Sequence, residues 1–286
     1  HLPGLHEPEP PDEESLARAV ELIDKAERPL ILAGAGVMRS GASQALRDFA
    51  EKTGTPVALT LLGIGGFPQS HPLCLGMMGM HGEAFTNSAI QRADLLLAFG
   101  MRFDDRVTGN IKTYAQHAKK IHVEIDPSEV GKNVKVDVAL VSDLRVALEA
   151  LTPAVRARRP EAWLAEIESG RQETRSRDII HRDENGLLLA AHVVHDLWQT
   201  TGGNSIVVSD VGQHQMWEAQ YYKHDDPRSL ITSGGLGTMG FALPAAIGAK
   251  MARPDAEVWV VAGDGGFQMT QCELATLQQE QLDIKI

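Results

Sequence analysis

Short apolar runs alternate with stretches of helical period along most of this chain, and that alternation leaves few folds open. Residues 29–33 are an apolar run that stops at Gly34-Ala35-Gly36, and residues 42–52 follow with helical spacing. Residues 56–61 then read as a strand, 84–91 as a helix, 94–99 as a fully buried strand, 121–125 as a further strand and 139–141 as a short one. Asp143 stands where an N-cap is needed for a helix over 144–151. Strands joined through helices run parallel, because each crossover returns the chain to the same end of the sheet, and both sheet faces are then covered. The predicted class is α/β, with a doubly wound parallel sheet.

The texture changes between residues 152 and 186, where Arg and Glu crowd together with helical spacing at Trp163, Leu164 and Ile167 and little strand signal. This predicts an interdomain linker over 153–186 with its own surface helix, its charges forming a solvated face. A second series follows: a helix over 187–199, a buried strand over 205–209, a helix over 214–222 and a short strand over 229–232. An Ala-rich helix over 241–251, a strand over 257–262 and a helix over 271–281 come next, and Ile284-Lys285-Ile286 opens another strand. The domains expected are a linker over 1–14, a complete middle domain over 15–152, and a second parallel-sheet domain over 187–286. That last domain is expected to be truncated, since a core strand has only begun at residue 286. A chain of 286 residues accommodates two such domains.

A formal net charge of −11 argues against nucleic acid as a partner, because phosphate backbones are bound by basic faces. No apolar stretch approaches bilayer length, so no membrane partner is expected. Cys74 and Cys272 are far apart and form no metal-ligand pattern; they read as reduced, buried thiols of a cytoplasmic protein. The start, His1-Leu2-Pro3-Gly4, has neither an initiating Met nor a signal or transit pattern.

The sharpest chemical signal is Val258-Trp259-Val260-Val261-Ala262-Gly263-Asp264-Gly265-Gly266-Phe267. A buried strand there delivers a carboxylate onto a Gly-rich turn at the sheet's C-terminal edge, where open α/β sheets bind ligands. Glycines let the backbone approach a diphosphate, and a carboxylate is a hard ligand for Mg²⁺. A plain turn would look the same in isolation. Two further strand-to-helix turns accompany it, Ser209-Asp210-Val211-Gly212-Gln213-His214 and Ser233-Gly234-Gly235-Leu236-Gly237-Thr238-Met239-Gly240. Three such turns in order would meet at one sheet edge. In the first half, Gly34-Ala35-Gly36 lacks the third glycine of a dinucleotide fingerprint. Met78-Gly79-Met80-His81-Gly82 and Gly100-Met101-Arg102-Phe103-Asp104-Asp105-Arg106-Val107 say more, the latter placing two Arg where a diphosphate could lie. Surface pairing of those Arg with Asp104 and Asp105 is the competing reading. His192 and His195, three apart on a helix, have no third ligand nearby in sequence and read as packing or surface residues.

Together these motifs closely resemble the large subunits of acetolactate synthases, thiamine-diphosphate-dependent enzymes that also carry FAD. The resemblance implies that Gly212, Gln213, His214 and Gly237 surround the cofactor diphosphate, with Gly263, Asp264, Gly265 and Gly266 closing on it and Asp264 binding Mg²⁺. Met239 would act catalytically by supporting the bent cofactor, although core packing would also suit a Met. It further implies that Gly34, Ala35, Gly36, Thr60 and Leu61 line FAD, and that Gly79, Met80 and His81 contact it. Gly100, Met101, Arg102, Asp104, Arg106 and Val107 would hold its ribityl and phosphate groups, Glu124 and Ile125 its adenosine ribose, and Ser142 and Asp143 its adenine.

The implied reaction is decarboxylation of pyruvate and ligation of the two-carbon unit to pyruvate or 2-ketobutyrate, towards branched-chain amino acids. The implied assembly is a homodimer or tetramer, with or without a regulatory subunit. In that family the activating Glu belongs to an N-terminal domain, and the second metal ligand to the Asn-Asn tail of the metal motif. Neither is identified here, so this chain alone is expected to be inactive. Pyruvate oxidase, glyoxylate carboligase and a non-catalytic FAD-binding module are the alternatives.

Overall fold

The computed structural model describes residues 9–181 and 186–286, which fall into two compact units. Residues 9–67 and 71–174 form the first, and residues 68–70 and 175–286 the second. Part of the linker expected over 1–14, and residues 182–185 of that over 153–186, lie outside the described residues.

The first unit runs α1 (Glu13–Lys25), β1 (Pro29–Ala33), α2 (Gly36–Arg39), α3 (Ser43–Thr53), β2 (Val57–Leu59) and β3 (Cys74–Met77). It continues through α4 (Ala84–Arg92), β4 (Leu95–Phe99), α5 (Asp105–Thr108), β5 (Lys119–Glu124), β6 (Val138–Val141), α6 (Leu144–Ala154) and α7 (Glu161–Arg175). The sheet is parallel throughout, in the order β3-β2-β1-β4-β5-β6. β1 and β4 pair from Pro29↔Leu95 to Ala33↔Phe99, and every residue of both is buried, as a sheet covered on two faces requires. The Asp94 carboxylate accepts the Glu27 and Arg28 amides at 2.7 and 2.9 Å, tying the starts of these strands together. Phe49 of α3 meets Phe99 edge-to-face at 5.7 Å on one face. On the other, Leu30, Leu32, Leu96 and Ala98 pack with Ala89 and Ile90 of α4 and Trp163 and Ile167 of α7. From β1 the chain winds outward to β3 and then returns to β4 on β1's other side. The switch point, where crevices form, therefore lies between β1 and β4.

Two sequence expectations change here. β3 carries too short an apolar run to stand out, and Gly76 at φ +77° interrupts it; pairing with β2 makes it a strand. The segment expected as linker with a surface helix carries α7, which docks on the sheet of the first unit through buried Trp163 and Ile167. The Trp163 indole donates to the Pro29 carbonyl at 3.0 Å, and its ring lies under the Arg28 and Arg92 guanidinium groups at 5.8 and 5.9 Å. The Arg and Glu residues that suggested a solvated face are real surface, but α7 also buries an apolar stripe on the sheet.

The second unit comprises α8 (Ala190–Thr201), β7 (Ile206–Ser209), α9 (Gln213–Tyr221), β8 (Leu230–Thr232), α10 (Ala242–Ala252), β9 (Val258–Val261), α11 (Asp264–Thr270) and α12 (Leu274–Glu280). Its strands are parallel in the order β8-β7-β9. The strand expected at 284–286 appears as one parallel bridge, Lys285 exchanging backbone hydrogen bonds with Val260 and Val258 at 2.7 and 3.0 Å. α10 packs through Ala242 and Ala246 against Val208, Val258 and Val260. Val207 packs with Val194 of α8 and with Tyr222. The Gly-rich turn after β9 goes directly into α11, which the sequence did not suggest, and the helix expected over 271–281 is a 3-10 turn followed by α12. Cys272 sits in that turn and is exposed, against the expectation of a buried thiol, whereas Cys74 in β3 is buried. Among the described residues no helix is long and apolar enough to cross a membrane.

Trp163→Ala tests the place of α7. Loss of a buried aromatic in a dense core is expected to cost about 3–5 kcal/mol, measured by denaturant unfolding; a cost under about 1 kcal/mol would return α7 to the status of a surface linker.

Candidate functional site

In the second unit the loops after β7, β8 and β9 converge on one carboxylate. Asp210, the residue after β7, is 1% exposed. Its side chain accepts the Val211 amide at 2.7 Å, the Gly240 amide at 3.0 and 3.1 Å and the Ala242 amide at 3.2 Å. A Cβ added to Gly266 would stand 2.9 Å from the Asp210 Cγ, so only glycine lets the first turn of α11 close on this group. Sequence reasoning quoted Asp210 in its motif but gave it no role. The available signal was a carboxylate ending a strand buried on both faces, where only backbone donors could satisfy it.

Around this knot lie the residues assigned to thiamine diphosphate. Gln213 and His214 open α9. The His214 ring is wedged between Gly212 and Gly263, whose added Cβ atoms would come within 2.7 and 3.1 Å of its Cε1. Burial holds the ring below its ordinary pKa, opposed by the Asp210 charge and backbone, and Nε2 is buried with no partner. Met239 is 44% exposed, which sets aside core packing, and its Cε reaches to 3.3 Å from a Cβ added to Gly265. Gly237, exposed at φ +65°, turns the same loop near Val211. Asp264 is the exposed first residue of α11 and makes no hydrogen bond or ion pair with the described residues. Among those residues no cluster of three metal-ligating side chains exists, so Asp264 would bring one carboxylate to a metal. An orphaned imidazole nitrogen, an unpaired carboxylate and a half-exposed thioether above glycine backbone fit a diphosphate, a cation and an apolar ring system respectively. His192 meets the Ile180 carbonyl at 3.2 Å and His195 lies against Trp198, and among the described residues neither belongs to a cluster of three metal-ligating side chains.

In the first unit every residue assigned to FAD sits at, or just beyond, the C-terminal end of one of the six strands. At the switch point Gly36 and Gly100 are in backbone contact: a Cβ on Gly36 would lie 2.5 Å from the Gly100 Cα. The Gly34 and Gly36 amides donate to the Phe99 and Gly100 carbonyls at 3.0 and 2.9 Å. These amides are therefore spent on closing two loops together rather than turned to a phosphate, and Ala35 lies between them. Thr60 donates its amide to Ala33 at 3.0 Å, with Leu61 starting the turn behind it. Asn87 grips both the amide and the carbonyl of Gly79 at 2.9 and 2.8 Å, a clamp that no sequence motif announced. The Met80 amide donates to the Arg106 carbonyl at 2.8 Å, joining the loops after β3 and β4.

Arg102 and Arg106 are exposed, each near a carboxylate, Asp104 at 3.7 Å and Asp105 at 3.5 Å. Such solvated pairs are weak and would yield to a dianionic ligand. Asp104 caps α5 through the Arg106 and Val107 amides, and Asp143 caps α6 through those of Arg145 and Val146. Glu124 turns one carboxylate oxygen to the Ile125 and Asp126 amides at 3.0 and 3.3 Å. Ser142 is buried, its hydroxyl donating to the Glu9 carbonyl at 2.6 Å, so its side chain is committed within the protein. Met80 after β3 is 58% exposed and Ile125 after β5 is 65% exposed, two apolar side chains open at the same C-terminal edge as the two guanidinium groups. Buried His122 meets the Met101 carbonyl at 2.9 Å, and burial holds its ring below the ordinary value.

Comparison with known proteins agrees with both units. Residues 16–151 match the thiamine pyrophosphate enzyme central domain, and residues 210–286 the C-terminal TPP binding domain of the same enzymes. The chain is 44% identical over 291 residues to an acetolactate synthase of Mycobacterium leprae, covering 100% of this chain and 46% of that protein. It is 45% identical over 288 residues to an acetolactate synthase large subunit of Corynebacterium glutamicum, with 100% and 46% coverage. A chloroplastic acetolactate synthase of Nicotiana tabacum is 43% identical over 291 residues, with 100% and 43% coverage. The chain spans about half the length of the curated relatives it matches.

Asp210→Ala strands two buried amides and a part-buried one, and is expected to destabilise the second unit by about 3 kcal/mol, read by denaturant unfolding; a neutral effect would remove Asp210 from the centre of the loops. His122, whose burial favours the neutral ring, gives a pH signature. Its folded pKa lies below the unfolded value near 6.5, so its stabilising contribution is whole above pH 6.5 and falls away as pH drops. His122→Phe is expected to flatten that slope in stability-versus-pH curves; an unchanged slope would show that His122 already protonates freely.

Proposed function

The chain belongs to the thiamine pyrophosphate enzymes, and from that membership we propose that it forms the FAD-binding middle domain and part of the thiamine-diphosphate domain of an acetolactate synthase large subunit. Bound thiamine diphosphate supplies the chemistry that decarboxylates pyruvate and passes the two-carbon unit to a second 2-keto acid. Gln213 and His214 hold the diphosphate, and Asp264 gives Mg²⁺ a carboxylate oxygen. Met239 supports the cofactor's rings from the apolar side. In the first unit Arg102 and Arg106 hold the FAD diphosphate, in place of the Gly34 and Gly36 amides, which already have partners. Met80 and Ile125 cover apolar parts of the same ligand, and the flavin serves architecture rather than net electron transfer. The complete protein works as a homodimer or tetramer in the cytoplasm, with a regulatory subunit, in branched-chain amino-acid biosynthesis.

The observation that carries this reading is His214, its buried Nε2 without a partner, seated on Gly212 and Gly263 within the loop cluster that also carries Met239 and Asp264. The full-length protein is expected to purify yellow, to form acetolactate from pyruvate, and to melt higher with thiamine diphosphate and Mg²⁺. At a hundredfold excess over Kd that stabilisation is about 2.7 kcal/mol. Asp264→Ala should abolish the Mg²⁺-dependent rise and leave the flavin absorbance intact, and the 286-residue chain alone should form no acetolactate. Oxygen uptake with no acetolactate would replace this reading by a pyruvate oxidase.

A further inference from the structure

The helix that presents Gln213 and His214 is seated by polar contacts. The buried side chains of α9 are Gln215, Glu218 and Ala219. Gln215 donates to the Thr232 hydroxyl at 2.7 Å, which itself donates to the Ser209 carbonyl at 2.9 Å. Glu218, four residues after His214 and so on the same helical face, meets His224 Nε2 at 2.6 Å, and both side chains are 0% exposed. The other ring nitrogen of His224 lies 2.8 Å from the Ser229 hydroxyl, which donates to the Asp226 carbonyl. The His224 backbone is gripped in turn: its amide donates to Gln69 Oε1 at 2.7 Å, and its carbonyl accepts the Gln69 amide at 3.2 Å. The Ser70 amide donates to Asp225 at 2.8 Å, and the Tyr222 ring meets that of His224 at a 36° tilt with centroids 4.7 Å apart. One end of this chain of contacts is fixed to the turn before β8, and the other sets the rotation of α9. His214 has little room to follow a rotation, because Gly212 and Gly263 already touch its ring.

We propose that Glu218 and His224 form a positioning pair that sets α9, and through it His214 and Gln213, for the cofactor diphosphate; this rests on the function proposed above. The pair touches no reacting atom, so its loss appears in cofactor affinity and not in turnover. Breaking it from one side leaves a buried polar group unpaired, whereas replacing both members with apolar side chains does not.

The test uses the full-length protein, with thiamine diphosphate titrated in an acetolactate assay and melting followed in parallel. Glu218→Ala and His224→Phe are each expected to raise the KM for thiamine diphosphate about tenfold, the usual cost of losing an orienting partner, with kcat at saturation within about twofold of the parent. The double variant E218A/H224F should recover both melting temperature and KM to within about threefold, because no unpaired group remains to pull on α9. Glu218→Gln, which still hydrogen-bonds His224, should keep the parent KM. Should Glu218→Ala fail to fold, Glu218→Asp carries the test: it retains the charge but retracts it by one methylene, and a raised KM supports the pair's role. Lower melting temperatures with an unmoved KM in the singles, or in Glu218→Asp where that variant stands in, would make the pair purely structural and overturn the proposal. If the parent shows no saturable dependence on thiamine diphosphate, the proposed function itself falls and takes this inference with it.

Discussion

In the second unit, three separate loops depend on a carboxylate that has no access to water. Asp210 ends β7 and finds its donors in the backbone of its own loop and of the loop after β8. A buried carboxylate without donors is costly, so this arrangement is close to all-or-nothing: the amides of residues 211, 240 and 242 must converge on it. Gly266 admits the first turn of α11 to the same point, since any side chain there would strike the carboxylate. The positions of Met239, Asp264 and His214 are secondary to that convergence. Each lies within a few residues of an atom that Asp210 fixes.

The first unit solves the corresponding problem with close backbone contact. At its switch point the loops after β1 and β4 touch through Gly36 and Gly100, and the Gly34 and Gly36 amides donate to the Phe99 and Gly100 carbonyls. That closure keeps the two central strands in register to their last residues and uses up the donors that a glycine-rich turn would otherwise offer a phosphate. Positive charge at this edge consequently comes from Arg102 and Arg106, on a loop capped by Asp104 and joined to the neighbouring loop through Met80 and Arg106. The two units thus share parallel sheets with candidate sites at the C-terminal edge but differ in how backbone polarity is satisfied there.

Legibility in the sequence followed the length and purity of each apolar run. β1 and β4 are uninterrupted buried strands, β5 is buried from Lys120 to Val123, and all three read clearly, as did Asp143 at the N-cap of α6. β3 did not, because Gly76 breaks a short run and only its neighbour makes it a strand. α7 looked like a charged linker because its exposed face outnumbers its buried one; that Trp163 and Ile167 reach the sheet core is a matter of docking. α11 was read as a turn because Gly265-Gly266 disfavours helix locally, and packing against Asp210 overrides that preference.

By itself the sequence determined the two parallel α/β units, the strand ends that carry the site motifs and the family to which those motifs belong, because periodicity and glycine placement are local properties. Which polar groups are already satisfied is decided by residues distant in the chain. Only the tertiary structure shows that the Gly34 and Gly36 amides are spent, that Ser142 is committed to Glu9, and that Met239 stands exposed over Gly265. The same holds for the joining of Glu218 to His224, both fully buried. Hydrogen bonds between segments far apart in sequence leave no periodic trace, and burial alone determines which of them must form.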